Sequence, residues 1–130
     1  MGPMTNILLV EDDPLAAQLI LSLLGSRFGE VRRVAGAAEA LCAIENPDFA
    51  GRLRLVISGR HTKGIGGPAF VAELLQRKPL LPVLVLGALG ESPADYTGEQ
   101  VTFLPRHRAP QQVVTLAGQM LARESAPASR

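Results

Sequence analysis

Ile7-Leu-Leu-Val-Glu-Asp-Asp-Pro14 sets four apolar residues directly against three consecutive acids and a proline. A short apolar run without polar alternation reads as a strand covered on both faces, as in a parallel sheet packed between helices. Three carboxylates at its end repel one another across a few ångströms. Two readings account for them. A bound cation would offset the repulsion, and magnesium takes one or two carboxylates together with water and phosphate. Alternatively, Glu11 and Asp12 are solvated while Asp13 caps a helix that Pro14 opens. The octapeptide alone does not choose between them.

Outward from this stretch the pattern repeats. Leu55-Val-Ile57 and Val83-Leu-Val-Leu86 are further continuous apolar runs, Val101–Leu104 is a weaker one, and the mixed Glu30–Val34 suits an edge strand. Between them lie helical spacings. Leu15, Leu19, Ile20, Leu23 and Leu24 follow Pro14, and Ala37–Ile44 recurs through Ala40, Leu41 and Ile44 until Asn46-Pro47 ends it. Pro68–Arg77 carries Phe70, Val71, Leu74 and Leu75, and Pro110–Arg123 carries Val113, Val114, Leu116, Ala117, Met120 and Leu121. Ser92-Pro93 opens at most a short helix, because Gly98 follows soon after. Strands alternating with helices imply right-handed crossovers and a doubly wound α/β domain with a parallel sheet and helices on both faces. One domain is expected over 5–123, with 124–130 a tail or the start of a linker.

Composition narrows the class. An apolar fraction of 47% with 19% charged residues is that of a globular chain, and no apolar run is long enough to cross a bilayer. The N-terminus lacks a basic region ahead of an apolar one, so no signal peptide is expected. Thirteen basic against twelve acidic residues, net +1, give no general attraction to nucleic acid or anionic membrane. The single cysteine, Cys42, excludes an internal disulfide and reads as a small core residue, which makes the cytoplasm the expected compartment.

The octapeptide, with the later segments following in order, resembles the receiver domain of bacterial response regulators over roughly residues 5–122. The resemblance implies a flavodoxin-like, five-stranded parallel sheet of order 2-1-3-4-5. It implies that Glu11 and Asp12 are the acidic pair that helps to hold magnesium, Asp13 being less often a ligand. It also implies transfer of a phosphoryl group from a histidine kinase to an aspartate ending strand three. Matching Gly64, Ile65 and Gly67 to the family pattern puts Gly59 at that position, and glycine offers no nucleophile. Ser58 is adjacent, but a shift of one residue on a strand points the side chain to the opposite face.

Two further positions depart from the pattern. Where the family has a Ser or Thr after strand four, this chain has Gly87. Where it has Lys-Pro after strand five, Arg106 and His107 align best; another alignment puts Leu104 and Pro105 there. Arg106 is then expected to pair with Glu11 or Asp12 in place of magnesium. Phe103 occupies the position of an aromatic that turns inward in active receivers, but without a hydroxyl at 87 it reads as a packed edge aromatic. The interval from Gly87 to Arg106 is short for the family, so its fourth helix should be short or irregular.

These departures give the expected function: a degenerate pseudo-receiver in two-component or phosphorelay signalling, not an enzyme, acting through phosphorylation-independent protein contacts. Its partner would be a histidine kinase, an output domain or another regulator, with a homodimer left open. It would require no cofactor and bind magnesium weakly at most. Two alternatives stand beside this reading: a phosphorelay receiver using Ser58 or one of Glu11–Asp13 as acceptor, and a small nucleotide- or flavin-binding protein of the same fold. Against the latter, Gly59–Gly64 resembles a phosphate-binding loop only superficially, with no Gly-Lys-Ser/Thr following, and Gly64–Gly67 is weak as a dinucleotide fingerprint. His61 and His107 lack ligand spacing for a metal, and Arg60–Lys63 reads as a solvated loop.

Overall fold

The continuous apolar runs become the inner strands of a parallel sheet because each offers two apolar faces to two separate helical layers. The computed structural model describes residues 6–28, 30–59, 66–96, 98–105 and 110–125. Its strands are β1 (Asn6–Val10), β2 (Val31–Val34), β3 (Leu53–Ser58), β4 (Val83–Leu86) and β5 (Val101–Leu104). They lie in the order β2-β1-β3-β4-β5, all neighbours parallel. This is the expected order, with the mixed strand β2 at one edge.

Residues alternate between the layers with the two-residue period of a strand. Ile7, Leu9, Leu55, Ile57, Leu84 and Leu86 face α1 (Pro14–Phe28) and α5 (Gln111–Ser125). Leu8, Val10, Val56, Val83 and Val85 face α2 (Ala37–Ile44), α3 (Pro47–Arg52) and α4 (Gly67–Arg77). The sheet is therefore covered on both sides. The middle of each central strand is accordingly apolar on both faces.

Two local expectations are corrected. Asn46-Pro47 does not simply end a helix but starts another. The Asn46 side chain accepts hydrogen bonds from Asp48 N–H (2.9 Å) and Phe49 N–H (3.3 Å), Pro47 needs no donor there, and Phe49 anchors α3 in the core. Cys42 is exposed rather than buried. On α2 the buried stripe is Ala37, Ala40, Ala43 and Ile44, which leaves Cys42 on the solvent stripe with Ala38 and Glu45. Between β4 and β5 the only regular helical element among the described residues is a single 3-10 turn, Pro93–Asp95, so the helix of this connection is short, as expected.

Candidate functional site at the carboxyl ends of the strands

In open α/β sheets, ligands bind beyond the carboxyl ends of the strands. Here β1 delivers Glu11, β3 delivers Gly59 and β4 delivers Gly87 to that edge. Glu11 continues the β1–β2 ladder, its N–H donating to Val34 C=O at 3.0 Å, and Gly59 N–H donates to Val10 C=O at 2.7 Å. The two residues are thus held side by side by backbone bonds before any side chain is considered.

The Glu11 carboxylate does not face outward. The residue is 1% exposed, and Oε2 accepts the Asp13 N–H at 2.9 Å. Oε1 lies where a side chain on residue 59 would begin: a Cβ built on Gly59 would overlap it and would sit 2.7 Å from Val10 O. Glu11 has therefore taken the space that the glycine leaves vacant. Asp12, next in sequence, is exposed. The Asp13 backbone carbonyl accepts the first hydrogen bond of α1, from Ala17 N–H at 2.9 Å. The expected acidic pair is split, one carboxylate inside and one outside. The described residues include no group of three or more acids, histidines and cysteines placed to hold a metal. Magnesium on Glu11 and Asp12 does not fit this arrangement unless Glu11 gives up Asp13 and turns outward.

A residue that the sequence reading passed over organises the loop. Arg33, half-buried on β2, donates to the Glu11 carbonyl from Nε (3.0 Å) and Nη2 (2.9 Å), and Nη2 also reaches the Asp12 carbonyl at 3.2 Å. Its planar fork suits such paired acceptance, and its charge stands beside the acidic run. The only hint in the sequence was a pair of arginines in an otherwise apolar edge strand. Arg106, like His61, His107 and the Arg60–Lys63 loop, lies outside the described residues, so its expected pairing with the acids does too.

Gly87 is filled in the same manner as Gly59. A Cβ there would stand 2.6 Å from Cζ and 3.2 Å from Cε2 of Phe103. Phe103 is on an edge strand, as expected, but its ring turns in over Gly87 and packs against the core and Tyr96. Ser58, facing the opposite way from Ile57, is 1% exposed.

No protein-family model matches the chain, and no curated protein matches it in sequence. Solved structures do match in shape. A receiver domain from an HD domain-containing protein of Pseudomonas fluorescens Pf-5 superposes with a TM-score of 0.77 at 20% identity, covering 93% of this chain and 97% of that one. A CheY-like receiver domain protein from Methanospirillum hungatei JF-1 gives 0.77 at 16% identity, covering 93% and 96%. A candidate response regulator from Chloroflexus aurantiacus J-10-fl gives 0.75 at 27% identity, covering 94% and 100%. The chain has the fold of response-regulator receiver domains.

Proposed function

We propose that this chain is a degenerate receiver domain of two-component or phosphorelay signalling that acts through protein contacts without aspartyl phosphate. The observation that carries the reading is the end of β3. Gly59 has no nucleophile, and the space beside it is filled by the Glu11 carboxylate. Gly87 offers no hydroxyl to a phosphoryl group, and the Phe103 ring stands in its place. Ser58, the neighbouring hydroxyl, is buried at 1% exposure and set on the other face of β3. Such a domain is a signalling module rather than an enzyme, requires no cofactor and works in the cytoplasm. It meets a kinase, an output domain or another regulator. Leu15 (81% exposed), Leu19 (49%) and Leu89 (83%) are large apolar side chains left open to such contacts.

The test is incubation with acetyl phosphate and magnesium followed by intact-mass spectrometry. The mass should stay unchanged; a stable gain of one phosphoryl group would overturn the reading. Gly59→Asp should not restore a switch. Its Cβ must displace Glu11 and push against the Val10 carbonyl, which costs about 1–3 kcal/mol as overpacking, and position 87 still has no hydroxyl. Phosphorylation-dependent NMR shifts spreading through β4 and β5 in that single variant would contradict this.

A further inference from the structure

The connection from β4 to β5 contains a set of contacts that the absence of an acceptor does not explain. Its first turn, Ala88–Glu91, is closed by Glu91 N–H donating to Ala88 C=O at 3.0 Å, with Gly90 at φ +86°, a value that suits glycine at the third position of a type II turn. The Glu91 side chain folds back over the turn, and Oε1 accepts both the Ala88 N–H (3.1 Å) and the Tyr96 hydroxyl (2.9 Å). The Tyr96 ring meets the Phe103 ring at 5.8 Å between centroids, tilted by 43°, within the range of favourable aromatic pairs. Phe103 in turn fills the space at Gly87, next to Ala88. The contacts run from 88 to 91, 96, 103 and back to 87, and so close on themselves. Glu91 Oε2 stands 3.1 Å from where a Cβ on Gly67 would be, at the first turn of α4, where negative charge is favoured.

We infer that this circuit is a built-in lock: Gly87 is the slot that admits the Phe103 ring, and Tyr96 with Glu91 clamps the β4–β5 connection to the start of α4, holding this edge in one arrangement without a ligand. The lock stands independently of whether any residue accepts phosphate, because none of its contacts involves Gly59 or Glu11. A ligand at the carboxyl end of β4 could move Phe103 only by parting it from Tyr96. Burial, and then the neighbouring Glu91, push the Tyr96 phenol well above its ordinary value of 10.0. That is the behaviour of a hydroxyl held against a carboxylate away from water.

The chain has one tyrosine and no tryptophan, so its near-ultraviolet absorption and emission report on Tyr96. A double-mutant cycle between Gly87→Ala and Phe103→Leu tests the slot. Gly87→Ala alone should lower the melting temperature by about 4–10 °C and shift the Tyr96 signal. In the Phe103→Leu background the same change should cost less than half as much. Equal cost in both backgrounds, or a Gly87→Ala that leaves the Tyr96 signal unmoved, would overturn the lock. Should Gly87→Ala fail to fold, Glu91→Gln provides a separate reading. Wild-type Tyr96 should ionise well above 10, and Glu91→Gln should bring it down toward that value. Ionisation near 10 in the wild type, or no change in the variant, would sink the clamp.

Discussion

At Gly59 and Gly87 the missing side chain matters less than what has moved into its space. A glycine at the end of a buried strand leaves a hole the size of a small side chain, and close-packed interiors do not keep such holes. Glu11 fills one and Phe103 the other. The acids of the octapeptide part company: Asp12 is solvated, as one reading of the sequence had it, and Glu11 is buried, which neither reading expected. Glu11 is drawn inward and bonds the Asp13 N–H, while Asp12 stays in water. Arg33 supplies the positive neighbour that a run of carboxylates needs, and it does so through the backbone carbonyls. Replacing Arg33 with Met keeps its aliphatic stem and removes all three bonds. Urea denaturation should show a loss of about 1.5 kcal/mol, the low end for charged hydrogen bonds because the freed carbonyls can find water. A variant as stable as the wild type would mean that the Arg33 bonds contribute nothing to stability.

Among the elements, α3 shows how a short helix survives. It spans only Pro47–Arg52 and would be marginal alone, since nucleation fixes several residues for a single bond. Three features hold it: the Asn46 cap, Pro47 at its start and Phe49 in the core. Asn46→Ala removes the two cap bonds and should cost about 1 kcal/mol, read as a fall of a few degrees in melting temperature. Asn46→Asp, which can still accept both bonds, should lose much less. The strand β2 owes its place to pairing rather than to propensity. It sets two consecutive arginines, Arg32 and Arg33, between Val31 and Val34, and it is placed by its ladder with Ile7–Val10.

For the molecule as a whole, stability rests on two cores separated by one sheet. Phe70, on the buried face of α4, is 0% exposed and belongs to the cluster that contains Val83, Val85 and Tyr96. Phe70→Ala should cost about 3–5 kcal/mol, a large part of a typical total for a domain of this size. Leu15→Gln, at a residue 81% exposed, should stay within about 0.5 kcal/mol. Chemical denaturation of the two variants checks both figures. If Leu15 proved as costly as Phe70, its surface would have to be covered, as in a self-associated state.

The strands, the helices and the two layers were legible in the chain because they depend on residue type and on periods of 2 and 3.6, which are local properties. The strand order and the significance of the glycines at 59 and 87 came from the resemblance to receiver domains. Where the neighbouring side chains went was not legible. Glu11 turning inward, Arg33 reaching the octapeptide's carbonyls and Phe103 closing over Gly87 depend on which strands are adjacent, and Cys42 facing solvent depends on which stripe of α2 packs on the sheet. Arg33 is 22 residues from Glu11 along the chain yet bonds to it across one strand spacing. Periodicity names the face of an element, whereas filling a vacancy depends on the distances between elements, and those exist only once the sheet has assembled.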